Sequence, residues 1–497
     1  VMKAFYISFI ILSAIFPIYC FPEGRGGHES VQVNNKLYFM GGSRLIPNSN
    51  LKRYNLSDEV FYLDLSSQFD TENPPFVDLT NGTSRMFYGN EKGAAVLGGS
   101  NRSDIYLIGG TQLNFSMVNW NATDQINWNA TDQFIYIYRT SANIWTKFEQ
   151  GVKGIQPSRR RSTSTVIKPN GTIYIFGGRI EKDMASDNLT LYNELYEFDT
   201  ILLSWIQIVA DNAPSPRSHS TATLLQNGKI VYIGGVSQDK PGSQTNLIIM
   251  TEIRIFDTTF LSWSSHTANA PFPIQPRVGH TAVLAPDNNS IIIMGGTSSY
   301  QLMQTTVTPN LLKLDIRSEP YQYSILQTSG NNQPPTLSFH TANIYSDYMI
   351  VAFGNITNGA TDSNETSSKV YLLYIPCLTW EYTFVPNRSD CKNKDENNHG
   401  LIIDIVIPIG CLIIIGAIIL YCLYRRKNER CKDLDCFKIW HRNQNQTQNT
   451  KPVEQPTRTE SLTGYADYVI HLAVHMQGVR PGHIGEININ IMNTNTL

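Results

Sequence analysis

The chain has 497 residues, of which 41% are apolar and 16% charged, and its formal net charge is -2 at pH 7. Such a composition is ordinary for a globular protein, and the balanced charge argues against a nucleic-acid partner. No cysteine lies between Phe21 and Pro376, so a disulfide-rich scaffold is excluded over most of the chain.

The first twenty residues predict a secretory signal peptide, residues 1–20. Lys3 supplies a positive charge, Ala4 to Ile18 is almost continuously apolar, and the region around Cys20 offers a cleavage point. An uncleaved N-terminal anchor is the alternative, but the apolar run is short for a bilayer span of about 20 residues. We therefore expect the chain to enter the secretory pathway.

A glycine-terminated apolar motif recurs through the next 350 or so residues and predicts a repeat architecture. Five copies, KLYFMGG, DIYLIGG, TIYIFGG, KIVYIGG and SIIIMGG, end at Gly42, Gly110, Gly178, Gly235 and Gly296, and a degenerate sixth, MIVAFGN, ends at Asn355. Successive copies are 57 to 68 residues apart, which is enough for four short strands with loops.

Each copy also carries signals on either side of its glycines. His219, His280 and His340 precede the glycines by 14 or 15 residues, within segments that predict first strands. Downstream, an aspartate stands six residues before an aromatic residue, which predicts a strand, a turn and a fourth strand; these pairs are Asp199 with Trp205, Asp257 with Trp263, and Asp315 with Tyr321.

This combination resembles the kelch repeat, and the resemblance extends from about Gly24 to Phe384. It implies an all-β fold, a six-bladed kelch-type β-propeller occupying residues 21–386. The chain is also similar to single-pass kelch surface proteins of the fungal type. The sequence leaves open whether the ring closes with a strand shared between the termini.

One cysteine near the end of the last repeat and one after it are close enough in the sequence to bridge. Cys377 and Cys391 predict a disulfide that fastens the last blade to a stalk, residues 387–400. Two free thiols are the alternative, which is unfavourable outside the cell.

In the resembling family, ligands bind at one face and at the mouth of the central channel, where arginines often meet acidic groups. The resemblance implies a non-catalytic receptor or adhesion protein that binds an extracellular protein or glycan. The structural alternative is that these side chains only set the register between blades. The candidate residues are Arg159, Arg160, Arg161, Arg217, Arg277, His219, His280 and His340.

The principal enzymatic alternative is a copper radical oxidase of the galactose oxidase type, which also uses a kelch-type propeller. Its cofactor needs a tyrosine cross-linked to a cysteine, and no cysteine is present between Phe21 and Pro376. We expect no cofactor, no metal site and no catalytic residues.

The C-terminal part of the sequence predicts a membrane anchor and sites of glycosylation on the part before it. A run without charges from Ile405 to Tyr424 predicts a transmembrane helix within residues 401–424, and the cluster beginning at Arg425 places residues 425–497 in the cytoplasm as a mostly disordered tail. Any signal would pass through a cytoplasmic adaptor recruited by that tail. The expected topology is type I in the plasma membrane, or in another secretory-pathway membrane.

Glycosylation sequons before the helix lie at Asn55, Asn81, Asn101, Asn114, Asn121, Asn129, Asn170, Asn188, Asn288, Asn355, Asn364 and Asn387.

Overall fold

The computed structural model describes residues 22–391, except for 46–53, 81, 114–133, 148–151, 182–188, 241, 300–303, 358–364 and 389–390. All of these lie in the first of the two units into which the chain divides, Val1–Lys392. The predicted signal peptide, transmembrane helix and tail fall outside the described residues, as does almost all of the stalk. No helix in the described part is long and apolar enough to cross a bilayer.

The described residues form six four-stranded antiparallel sheets, each a meander of consecutive strands, which we number 1 to 6 in chain order. Sheets 1 and 2 consist of Glu29–Val33, Lys36–Met40, Val60–Asp64 and Phe76–Asp78, and of Ala94–Gly98, Asp104–Ile108, Ile135–Arg139 and Ile144–Thr146. Sheets 3 and 4 consist of Ser164–Ile167, Thr172–Phe176, Leu195–Asp199 and Ser204–Ile208, and of Thr221–Leu224, Lys229–Ile233, Glu252–Asp257 and Ser262–Thr267. Sheets 5 and 6 consist of Thr281–Leu284, Ser290–Met294, Leu311–Asp315 and Gln322–Ile325, and of Thr341–Tyr345, Tyr348–Ala352, Val370–Tyr374 and Thr379–Glu381.

The described residues also form short ribbons and turns outside these six sheets. Paired ribbons are formed by Ser43–Leu45 with Tyr54–Leu56, Gly89–Glu91 with Thr111–Leu113, Arg179–Glu181 with Leu189–Leu191, Leu337–Ser338 with Asn355–Ile356, and Phe69–Asp70 with Thr383–Phe384. A three-stranded ribbon contains Arg217–Ser218, Val236–Gln238 and Thr245–Leu247, and two single-turn 3₁₀ helices span Gly82–Ser84 and Ile375–Cys377.

The first strands of the sheets are neighbours in a circle, and sheet 6 adjoins sheet 1. An apolar cluster fills each interface between neighbouring sheets, including the one between sheets 6 and 1, where Phe39 and Phe61 pack with Ile350 and Leu372. Because both faces of each sheet are covered in this way, the middle strands are almost entirely apolar, as in Thr172–Phe176. The arrangement is that of a β-propeller.

The paired glycines end the second strands because the next sheet approaches too closely for a side chain. A Cβ atom on Gly41 would lie 2.3 Å from the carbonyl oxygen of Asn90, and one on Gly177 would lie 2.5 Å from that of Arg217. The second glycine of each pair has a φ near +90°, as at Gly178, whose amide donates to the Arg217 carbonyl over 2.9 Å. The same backbone hydrogen bond joins every sheet to the next around the ring.

The sixth copy of the motif is displaced by one residue from the alignment that the sequence suggested. Gly354 donates to the carbonyl of Arg25 and so occupies the position of the second glycine, whereas Phe353 occupies that of the first. The strand that precedes it ends at Ala352. The alignment ending at Asn355 was therefore wrong, because a phenyl ring fits at the interface between sheets 6 and 1, where Phe353 packs edge-on against Phe39.

Two of the aspartate–aromatic pairs, those of sheets 3 and 4, have the geometry that the sequence predicts. The pairing of Asp315 with Tyr321 was wrong, because the turn after Asp315 is two residues longer and Tyr323 takes the aromatic position. The carboxylate of Asp199 accepts backbone amides of Ile201 and Leu202 at 2.8 Å each, which closes the turn after the third strand. Trp205 is 5% exposed and packs between sheets 2 and 3, against Phe134 and Phe198.

The two ends of the ring are joined by the short ribbon of Phe69–Asp70 with Thr383–Phe384, while each four-stranded sheet is built from its own consecutive segment. A disulfide joins Cys377, which precedes the fourth strand of sheet 6, to Cys391, which follows the ribbon, and their Cα atoms are 5.7 Å apart. The last sheet is thereby tied to sheet 1 and to the segment that leaves it.

Candidate functional site: the channel mouth

One residue from each sheet, two positions before the first strand, lies at the mouth of the central channel in a left-handed backbone conformation. These residues are Gly27, Lys92, Ser162, His219, Gly279 and Phe339, with φ between 52° and 64°. We call them the mouth ring. Four of them are not glycine, and such residues persist in this strained conformation only where the surroundings hold them.

Backbone hydrogen bonds hold the mouth ring. The amide of Lys92 donates to the carbonyl of Gly27, that of Ser162 to Lys92, and that of Gly27 to Phe339, over 2.7, 2.7 and 2.8 Å. His219 donates to Ser162 in the same way. The side chains of the ring are therefore presented at the channel by a rigid backbone.

The two glycines of the mouth ring leave room for the side chains of their neighbours. A Cβ atom on Gly27 would lie 3.2 Å from Cγ of Lys92, and one on Gly279 would lie 3.1 Å from the ring of Phe339. The Lys92 ammonium is 5.0 Å from the centre of the Phe339 ring, and His219 meets that ring edge-on at 6.0 Å. Lys92 and Phe339 thus cover part of the channel.

A cavity of about 170 Å³ remains at the mouth, and all six sheets contribute to its lining. Its polar groups include the half-buried Lys92 and His219 and the hydroxyls of Ser162 and Thr221, while Phe339 supplies an apolar wall. The arrangement suits a ligand group that combines hydrogen-bonding atoms with a small apolar surface.

The lining includes the ammonium of Lys92, which lies 3.4 Å from Oε1 of the buried Glu91. Burial lowers the pKa of His219 well below its usual range, and the nearby Arg179, Lys92 and Arg161 lower it further, so its imidazole is neutral at pH 7. Burial raises the pKa of Glu29 to about 8, and its Oε1 accepts the Gly93 amide at 2.6 Å. Glu29 is therefore largely protonated at neutral pH.

Three of the predicted arginines are buried within their own sheets and do not line the cavity. Arg160 pairs with Glu194 over 2.7 Å, and Arg217 pairs with Glu252 over 3.2 Å. Arg277 donates to the carbonyl oxygens of Gly295 and Gln275 at 3.1 Å each. Their geometry favours the structural alternative, in which they set the position of the strands, and ligand contact through them stays a prediction.

The other two arginines of the run lie nearer the surface. Arg159 is half-buried, and Arg161 extends to sheet 2, where it contacts Glu91 at 3.2 Å and Thr111 at 3.1 Å. Arg161 therefore joins the charged groups behind the mouth ring, whereas Arg160 between them points into its own sheet.

The predicted histidines do not occupy equivalent positions. His280 and His340 stand one residue after the mouth ring, and their Nε2 atoms lie 3.3 and 3.0 Å from Oγ1 of Thr221 and Thr281 in the preceding sheets. His219 belongs to the mouth ring itself. Equating it with the other two was wrong, because the first hairpins of sheets 4, 5 and 6 differ in length.

Sequence reasoning missed Lys92, Phe339 and Ser162. Counting back from the glycines mixes two positions, since hairpin lengths differ between copies. Counting from the start of each first strand would have aligned these residues with His219. It would have shown that this position, beside the channel, differs in residue type from sheet to sheet.

The described residues contain no group of three or more His, Cys, Asp and Glu side chains arranged to hold a metal ion. The cysteines among them are the two of the disulfide, so Cys377 is bonded to Cys391.

The fold and the channel define a kelch-type β-propeller. Residues 105–403 match the model of the attractin/LZTR1 β-propeller family. This match covers more than half of the chain, which therefore belongs to that family.

Individual relatives agree with this class. The chain is similar to human Kelch domain-containing protein 1, with 29% identity over 202 residues, 40% of this chain and 45% of the relative. Rat Multiple epidermal growth factor-like domains protein 8 is 25% identical over 253 residues, 50% of this chain and 8% of that protein. Human Kelch domain-containing protein 3 is 26% identical over 163 residues, 33% of this chain and 40% of the relative. The chain spans less than half the length of these relatives.

Proposed function

We propose that this chain is a non-catalytic cell-surface receptor or adhesion protein that binds an extracellular protein or glycan at the channel mouth. The observation that carries the proposal is a cavity at the mouth lined by side chains from all six sheets, with Lys92 and Phe339 held over glycines. Membership of a β-propeller family and similarity to kelch-domain proteins support a role in binding rather than catalysis.

In this proposal the six sheets are the complete set of blades of a closed six-bladed ring. Residues 1–20 direct it to the secretory pathway, residues 401–424 anchor it in the plasma membrane, and the tail meets a cytoplasmic adaptor. Charge patterns on either side of the apolar run support that orientation. Protease added to intact cells should remove the ring and leave an epitope placed after Leu497 intact. An epitope that outside reagents reach would contradict this topology.

Binding is tested with a secreted form ending at Lys392, which retains both cysteines, on arrays of glycans and extracellular proteins. Against any probe that binds, Lys92→Met and Phe339→Ala should each weaken the affinity about tenfold or more, as expected for a central contact. Lys153→Met is the matched control, because Lys153 is exposed away from the mouth ring.

Unchanged affinity in both mouth variants would move the binding site to the loops between second and third strands. Charge reversal at Arg160 or Arg217 is a poor probe, since it would break a buried ion pair and destabilise the ring.

A further inference from the structure

The end of the sheets away from the channel mouth carries two kinds of hairpin turn. Since the mouth ring precedes each first strand, the turns between first and second strands lie at the opposite end, together with those between third and fourth strands. Thr200 connects such turns: its hydroxyl donates to the carbonyl of Gly171 at 2.8 Å and accepts the amide of Gly99 in sheet 2 at 3.1 Å.

Two neighbouring turns at this end expose large apolar side chains. In sheet 3, Ile201 and Leu202 are 56% and 68% exposed, and in sheet 4, Phe260 and Leu261 are 80% and 46% exposed. We call these four residues the apolar turn patch. Adjacent exposed apolar side chains of this size usually mark a surface that something covers.

Asn170 lies between the two halves of this patch. It stands in the first turn of sheet 3, within the sequon Asn170–Gly171–Thr172. A Cβ atom on Gly171 would lie 3.6 Å from Cδ1 of Ile201, and Lys168 of the same turn donates to the hydroxyl of Thr258 in sheet 4 at 3.1 Å. The turn of Asn170 therefore touches both apolar turns.

The side chain of Asn170 is available for modification. It is exposed, and its Oδ1 accepts the amide of Thr172 at 3.2 Å, while its Nδ2 makes no hydrogen bond within the described part of the chain. Two of the other sequons differ: Nδ2 of Asn288 donates to the carbonyl of Pro286, and Asn355 is half-buried with its Nδ2 3.4 Å from Gln304.

We propose that an N-linked glycan on Asn170 covers the apolar turn patch. The inference rests on the proposed secretory topology, because the reaction needs an oligosaccharide donor linked to a lipid pyrophosphate. Nδ2 forms a bond to C1 of the first sugar and loses a proton, while the bond from C1 to the pyrophosphate breaks. The glycan is bulky and solvated, and the C–H faces of its first sugars lie over the apolar side chains.

The test uses the full chain displayed on eukaryotic cells and chymotrypsin, which cleaves after exposed Phe and Leu. Asn170→Gln should raise the rate of cleavage after Leu202 and Phe260 roughly fivefold or more, because exposed turn tips are preferred sites of proteolysis. Enzymatic removal of glycans from the wild type should have the same effect. Asn387→Gln is the matched control, since Asn387 is an exposed sequon in the segment after sheet 6.

Glycopeptide mass spectrometry separates the outcomes. A glycan at Asn170, with faster cleavage in Asn170→Gln alone, supports the inference. Glycans at Asn55 or Asn387 but none at Asn170, or equal cleavage in Asn170→Gln and wild type, overturns it and leaves the secretory topology standing. An absence of glycan from every sequon overturns the topology and this inference together.

Discussion

Sheets 4 and 5 are neighbours that share the same backbone hydrogen bonds near the mouth ring but differ in the side chains that surround the arginine there. In each, an arginine precedes the mouth ring, and its carbonyl accepts the amide of the second glycine of the preceding sheet, Gly178 for Arg217 and Gly235 for Arg277. Arg217 has a carboxylate partner in Glu252, whereas the equivalent position beside Arg277 is Asn310.

The difference shows which contacts are needed for the ring. Burial lowers the pKa of Arg277 to about 10, yet its guanidinium is held by two carbonyl oxygens without a carboxylate. Nη2 of Arg277 and Oδ1 of Asn310 are both buried without a hydrogen-bond partner. The backbone contacts set the geometry, and the side-chain partner is a separate contribution to stability.

The largest expected difference between the two sheets concerns the aromatic residue of the fourth strand. Trp263 packs against Phe176 and Phe256 at 4.7 and 5.0 Å, whereas Tyr323 takes the same place in sheet 5, where it pairs with Leu314 as Trp263 pairs with Phe256. Trp263→Ala should lower the free energy of unfolding by about 3–5 kcal/mol, and Tyr323→Ala by less, because a smaller ring leaves a smaller cavity. Denaturant titration measures both. Equal losses would show that the two interfaces are packed alike.

A second expected difference is acid sensitivity. Sheet 5 has His280 where sheet 4 has Ser220, and burial, with Arg277 and His340 nearby, lowers the pKa of His280 to about 3. In the unfolded chain His280 binds a proton near pH 6.5, whereas in the folded chain it binds one only near pH 3. The free energy of unfolding is therefore highest above pH 6.5 and falls as the pH decreases below that value.

His280→Ser should remove part of that loss. Between pH 7 and pH 5 the free energy of unfolding of this variant should fall by about 2 kcal/mol less than that of the wild type. Parallel profiles for wild type and His280→Ser would refute the assignment of His280 as a buried neutral residue.

The smallest expected effect comes from adding to sheet 5 the carboxylate partner that its buried arginine lacks. Asn310→Glu gives sheet 5 the carboxylate that sheet 4 has, and should raise the free energy of unfolding by about 1 kcal/mol through a charge-assisted hydrogen bond to Arg277. In an Arg277→Met background the same substitution should destabilise, since the carboxylate would then lack a partner. A gain of equal size in both backgrounds would show that the pair does not form.

The sequence by itself determined the all-β class, the number of motif copies and the roles of Asp199 and Trp205. These features rest on local rules: strand periodicity, the turn chemistry of aspartate, and the need to bury a large ring. The cysteine spacing indicated the Cys377–Cys391 disulfide for a similarly local reason.

Only the tertiary structure decided which residues face the channel. Lys92, Ser162, His219 and Phe339 are brought together from segments far apart in the chain, and their equivalence depends on hairpin lengths that vary by up to three residues between sheets. A one-residue shift exchanges a side chain at the mouth for one between sheets, which is why His219 and His280 look alike in sequence and lie in different places. In the sequence, Arg160 and Arg217 likewise look like residues of a surface patch. The structure shows that both are buried and paired with Glu194 and Glu252, which lie 34 and 35 residues away in the chain.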